Sequence, residues 1–234
     1  MTAASAVPSR AQRRRVGVLL SGRGSNMRTL HAATLSADFP AEIVCIVSNK
    51  ADAGGLAYAA EQGIPAVAID HRAFSDRESF DRALDAALRE HGVDLVALAG
   101  FMRIFSPWFP GAWDGRMINI HPSLLPNYKG LHTHARALAD GVRIAGCTVH
   151  FVTAELDAGP IIAQAAVPVT PDDTPDSLSA RVLTAEHVLY PHALRLVASG
   201  AARLVGGRVE VEATDHDAAA PPLVVPPLRD SVRA

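Results

Sequence analysis

Asn119 and His121 stand two residues apart in the stretch Asn119-Ile120-His121-Pro122-Ser123-Leu124-Leu125-Pro126, directly after the apolar pair Met117-Ile118. In an extended backbone that spacing turns both side chains to one face. An amide donor beside a titratable imidazole can hold a carbonyl oxygen as it gains negative charge. Pro122 and Pro126 stiffen the exit and bar a helix there. The same residues also fit a strand end with a polar cap and a proline loop.

Other segments could complete such a site. Gly22-Arg23-Gly24-Ser25-Asn26 joins an apolar run to a helix-prone one. Backbone N–H groups at that junction, with the helix dipole, suit a phosphate. The loop lacks the Gly-Lys-Ser/Thr of a triphosphate-binding loop. It also lacks the third glycine of a dinucleotide fingerprint, and no acidic residue ends the second strand to hold a ribose. It therefore favours a monophosphate over a dinucleotide, the alternative being a tight turn that binds nothing. Glu155-Leu156-Asp157-Ala158-Gly159-Pro160 reads as a turn, and acidic residues before Gly-Pro are ordinary turn chemistry. If that turn reaches the sheet edge holding His121, Asp157 would favour the charged imidazole.

Gly100-Phe101-Met102-Arg103-Ile104-Phe105 follows a strand and is mostly apolar. A loop of that kind at a strand's carboxyl end could receive an aromatic ligand, or simply pack beneath the next helix. Arg77 falls in a helix's first turn, where a cation is disfavoured. An anionic partner would explain it, and so would plain solvation. His132, His134 and His150 raise a zinc reading. His132 and His134 diverge at a helix start and no third ligand has a recognised spacing, so site-wall or structural roles are preferred and no metal is expected.

The elements that must position these groups alternate along the chain. Apolar, β-branched runs at residues 16–20, 42–48, 66–69, 93–99 and 117–119 predict strands, with helices between them. Ser75-Asp76-Arg77-Glu78 reads as a capping box opening a helix whose face carries Phe80, Leu84 and Leu88. A short helix is expected over residues 107–113, and another over 132–140. Residues 147–153 and 161–169 predict two strands with too short a gap for a helical crossover, so they pair antiparallel. Thr174-Pro175 opens a long helix, and residues 204–211 around Gly206-Gly207 read as a hairpin. The expected fold is α/β: a Rossmann-like, doubly wound, mostly parallel sheet with an antiparallel strand pair in its C-terminal half. One domain over residues 14–212 is expected, between a disordered tail at 1–13 and a loose one at 213–234.

Composition limits the rest. The 234 residues are 49% hydrophobic, enough for a substantial core, and the formal charge of −2 offers no general attraction for nucleic acid. No run reaches membrane-spanning length. Arg13-Arg14-Arg15 before residues 16–20 superficially resembles an export signal, but the apolar stretch is too short. Cys45 and Cys147 sit in apolar strand-like runs and read as core thiols of a reducing, cytoplasmic compartment.

The ordered set GRGSN (22–26), SNKADAGGL (48–56), the segment 77–81, AGFMRIFSP (99–107), NIHPSLLPNYKGLHTHARAL (119–138), VHFVTAELDAGPII (149–162) and the helix around residues 181–190 closely resembles the folate-dependent phosphoribosylglycinamide formyltransferase family of purine synthesis. The resemblance covers about residues 16–200. It implies a mononucleotide half followed by a folate half. Gly24, Ser25 and Asn26 would then seat the phosphate of the glycinamide ribonucleotide, assisted by Arg77, and Glu186 would hold the ribose. The co-substrate, 10-formyltetrahydrofolate, would lie against Met102, Arg103, Ile104 and Phe105, Asn119, and the turn Thr153, Ala154, Glu155, Leu156 and Asp157. Asn119, His121 and Asp157 match the family's catalytic trio. Arg23 and both chain ends depart from the family pattern, and none of these removes a matched residue.

By that resemblance the substrate amine attacks the formyl carbon. Asn119 and protonated His121 stabilise the oxyanion, and Asp157 helps move a proton to the departing folate nitrogen. Partners would be small molecules, with the protein a monomer or homodimer. A formyltetrahydrofolate hydrolase resembles the same trio but transfers formyl to water. Such enzymes usually carry an N-terminal regulatory domain, for which little chain precedes the first strand. A methionyl-tRNA formyltransferase would need a basic C-terminal domain.

Overall fold

The computed structural model describes residues 13–212 and 223–226. Apart from Arg13 and residues 223–226, the two expected tails lie outside the described residues. Arg13 is not loose: its Nε donates to the carbonyl of Ala41 at 3.1 Å and its Nη2 to that of Thr34.

Seven strands form one sheet: β1 (Arg14–Leu20), β2 (Ala41–Ser48), β3 (Ala66–Ala68), β4 (Leu95–Leu98), β5 (Met117–His121), β6 (Ile144–Phe151) and β7 (Ile161–Pro168). Their spatial order is β3-β2-β1-β4-β5-β6-β7, parallel from β3 to β5 and antiparallel from β5 to β7. The burial patterns explain the placement. Residues 16–20 of β1 are all buried, as a strand covered on both faces must be, whereas β7 at the edge alternates from Ala163 to Pro168 between less and more exposed positions. The antiparallel part extends beyond the expected pair, because β5 also runs opposite to β6 and continues through His121.

Helices α1 (Ser25–Thr34), α2 (Gly54–Glu61) and α6 (Pro175–Ser199) bury Met27, Leu30, Ala59, Leu178, Val182 and Leu194 on one face. Helices α3 (Arg77–Glu90) and α4 (Trp108–Ala112) cover the other with Phe80, Leu84, Leu88, Phe109 and the α4 cap Trp113. Helix α5 (Thr133–Ala139) packs beside α6. Strands β8 (Ala202–Val205) and β9 (Arg208–Val211) make the expected hairpin, a separate two-stranded sheet. No helix among the described residues is long and apolar enough to cross a membrane.

The expected capping box at α3 is shifted. Asp76, not Ser75, is the N-cap, accepting the Ser79 N–H at 2.7 Å, while Glu78 pairs with Arg82 at 2.6 Å. Asp caps as well as Ser does, and the one-residue shift leaves Glu78 free for its i,i+4 partner.

The entry to α6 is held more firmly. Thr174 and Ser177 form a reciprocal capping box, and Pro175 begins the helix. Asp173 accepts from Thr170 N, Ser177 Oγ and both terminal nitrogens of Arg181, at 2.7–2.9 Å. These donors hold its carboxyl far below the usual carboxylate range, the Arg181 guanidinium foremost. A depressed native value contributes stability that is present above the unfolded value near 3.8 and fades as pH falls toward the native one. Asp173→Asn is therefore expected to lower stability by about 1–2 kcal/mol at pH 7. Thermal melts should show the gap to wild type narrowing once the pH drops below about 4.

Candidate active site

The sheet reverses its strand order between β1 and β4, the point at which open α/β sheets form a ligand crevice. The loops that leave these two strands are joined there. Ser21 N donates to the carbonyl of Gly100 at 3.1 Å. The Ser21 hydroxyl accepts the Met102 N–H at 2.8 Å and donates to Asn49 Oδ1 at 2.6 Å. Asn119 and His121 end β5, one strand further on.

In β6, His150 stands opposite Asn119 and Thr148 opposite His121. His150 Nδ1 lies 2.8 Å from the carbonyl of Phe151, which can only accept, so that nitrogen carries a hydrogen. Burial holds the pKa of His150 below its ordinary value and keeps the ring neutral. Its Nε2 is then an acceptor, and it receives an Asn119 Nδ2 hydrogen at 3.2 Å. The contact fixes which end of the Asn119 amide is nitrogen.

His121, 5% exposed, has Nε2 at 2.9 Å from the carbonyl of Tyr128 and Nδ1 at 3.4 Å from Asp157 Oδ2. Both ring nitrogens thus face acceptors, an arrangement that the doubly protonated ring satisfies. The Asp157 carboxylate also accepts the Gly130 N–H at 2.9 Å, and its other oxygen lies 3.9 Å from His150 Nε2. The residue that holds this carboxylate inward has φ 49°, a left-handed conformation that Asp tolerates. The turn is pressed onto β6: a Cβ on Gly159 would stand 1.8 Å from the carbonyl oxygen of Phe151. Asn119, His121 and Asp157 are therefore brought together, with the ring of His150 between the Asn119 amide and the Asp157 carboxylate and bonded to the amide.

The Gly24 loop reaches the same crevice from β1. Gly24 has φ 74°, and a Cβ there would lie 3.1 Å from Gly55 Cα, so the turn needs glycine. Ser25 and Asn26 open α1, a ten-residue helix with no acid in its first turn. The Asn26 amide donates to Glu186 Oε2 at 2.7 Å, joining residues 160 positions apart. Glu186 is buried, and burial pushes its carboxyl upward.

Along residues 101–105 the side chains alternate. Met102 and Ile104 are 65% and 57% exposed, while Phe105 stacks between Phe101 and Phe109 and the Arg103 guanidinium lies over the ring of Phe80. Arg77 is exposed, and its charge acts with that of Arg103 on Asp81, on the side of this loop. In the turn, Thr153 Oγ1 donates to the carbonyl of Glu155, Glu155 pairs with Lys129 at 3.1 Å, and Ala154, Glu155 and Leu156 are exposed. His132 is the exposed cap of α5 and His134 lies half-buried within it. Among the described residues no group of three or more His, Cys, Asp and Glu is arranged to hold a metal ion. The sequence alone offers His150 a zinc, wall or structural role and does not reveal its bond to Asn119. Its signal, a strand register opposite Asn119, needs a β5–β6 pairing that one sequence does not fix.

The chain belongs to the formyl transferase family, whose model matches residues 14–194. It is 47% identical over 183 residues to the phosphoribosylglycinamide formyltransferase of Escherichia coli (strain K12), covering 78% of this chain and 86% of that one. It is 52% identical over 190 residues, or 81% of its length, to the trifunctional purine biosynthetic protein adenosine-3 of Bos taurus, but spans only 19% of that much longer relative. The structure of glycinamide ribonucleotide transformylase 1 from Symbiobacterium toebii superposes with a TM-score of 0.84 at 43% identity, covering 88% of this chain and 99% of that one.

Proposed function

We propose that this protein transfers the formyl group of 10-formyltetrahydrofolate to the amine of the glycinamide ribonucleotide in purine biosynthesis. The observation that carries this reading is the His121–Asp157 contact of 3.4 Å, in a crevice shared with Asn119 and the Gly24 loop. The substrate amine forms a C–N bond to the formyl carbon, and the carbonyl oxygen becomes an oxyanion held by Asn119 and the His121 imidazolium. Collapse breaks the bond to the folate nitrogen. The proton lost by the amine is returned to that leaving nitrogen, directly or through water, with Asp157 and His121 as relay. His121 Nε2 donates to the carbonyl of Tyr128 at 2.9 Å, so the ring must exchange that partner to reach the oxyanion.

The phosphate would lie on the backbone of Gly24, Ser25 and Asn26, with Glu186 at the ribose. The folate would lie against residues 102–105 and 153–157, where Met102, Ile104 and Leu156 present apolar surface. Arg77 supplies positive charge beside the crevice. The partners are small molecules rather than nucleic acid or membrane, and no metal takes part. Two buried thiols, Cys45 and Cys147, both pushed up to about 12 by burial, suit a reducing compartment such as the cytoplasm.

Incubation with 10-formyltetrahydrofolate, with and without the glycinamide ribonucleotide, tests the assignment. Tetrahydrofolate should be released only when the ribonucleotide is present, in step with the formylated product. Equal release without it would show a hydrolase.

A further inference from the structure

Asp81 has no part in the chemistry described, yet it is completely buried. It stands on α3, and one carboxylate oxygen accepts the Ser106 N–H at 2.6 Å. Its other oxygen, Arg103 Nε and the Ser106 hydroxyl have no hydrogen-bond partner among the described residues. Burying a carboxylate with so little compensation costs stability, so its presence calls for a return elsewhere. Burial pushes its carboxyl upward, against hydrogen bonding from Ser106 and then the charges of Arg77 and Arg103.

The Ser106 N–H ends the loop that begins at Gly100. At the loop's other end, the buried Ser21 hydroxyl accepts the Met102 N–H. Both anchors are side chains from outside the loop, and both take a backbone N–H. Between them every second side chain turns inward, leaving Met102 and Ile104 presented outward. We infer that Asp81 is a positioning residue for formyl-donor binding, holding the C-terminal end of the 101–106 loop while Ser21 holds its start. The inference rests on the proposed function, which assigns this loop to the folate.

Asp81 touches neither substrate in this assignment, so its loss should appear as donor affinity. Asp81→Ala removes the acceptor of a charge-assisted bond, and KM for 10-formyltetrahydrofolate should rise by about 10-fold or more. KM for the ribonucleotide and kcat at saturating donor should stay close to wild type. Asp81→Asn keeps an acceptor for Ser106 and should recover most of the donor KM. Amide exchange in residues 100–106 should quicken in Asp81→Ala while that of α6 stays unchanged. If Asp81→Ala fails to fold, Asp81→Leu, which removes the acceptor but keeps most of the buried volume, provides the same readouts. An unchanged donor KM with faster exchange, or an equal rise in both KM values, overturns the inference. Absence of ribonucleotide-dependent transfer in the wild-type protein instead overturns the proposed function, so the two failures are distinguishable.

Discussion

Asp157→Asn is expected to slow single-turnover formyl transfer by about 10²–10⁴-fold, the range for losing a positioned proton-transfer group. The substitution is chosen because it isolates charge from shape. Asn tolerates the left-handed conformation at φ 49°, where Ala would add strain. Its amide oxygen can still accept the Gly130 N–H that Asp157 accepts now at 2.9 Å. What disappears is the negative charge 3.4 Å from His121 Nδ1. The melting temperature should therefore move little while the chemical step collapses. A full-rate single turnover from a well-folded Asp157→Asn protein would remove Asp157 from the mechanism.

That contact also marks the boundary of what one sequence discloses. The period of two in Asn119-Ile120-His121 is a local property, and β5 indeed carries both residues. Continuous apolar runs for strands such as β1, against the alternation of β7, follow from burial on two faces or one, and they reveal the doubly wound layout directly. The meeting of Asp157 with His121 depends on where two antiparallel registers begin and on a turn seated against the end of β6, which is a tertiary fact. The Asn26–Glu186 bond joins α1 to α6 across nearly the whole chain and has no local signature. Glu186 falls among the buried positions of α6 beside Val182 and Leu189, where a helical pattern alone would place an apolar residue. His150 was visible as a histidine in a strand, but its function as the acceptor for Asn119 depends on a tautomer set by the carbonyl of Phe151. Asp76 rather than Ser75 caps α3, and two good capping residues side by side leave that choice open in the sequence.

Asn119→Ala carries the second large effect, about 10²–10³-fold in kcat, as for loss of one preorganised oxyanion donor. The geometry makes this loss more than the removal of one group. His150 Nε2 would be left buried without its donor, at a cost to stability of about 1–3 kcal/mol. Rate and stability are therefore both expected to fall, and they must be separated. His150→Phe provides the control. It removes the acceptor, together with the Nδ1–H that the Phe151 carbonyl accepts, and leaves the Asn119 amide in place but free to turn. If the oriented N–H is what matters, His150→Phe should lose part of the rate while KM for each substrate changes little, and Asn119→Ala should lose more. Combining the two should cost less than the sum of the separate losses, because both act through one hydrogen bond. Strict additivity of the two in a double-mutant cycle of single-turnover rates would mean that His150 does not act through Asn119. An Asn119→Ala rate equal to wild type would mean that the oxyanion is held by His121 and backbone groups alone.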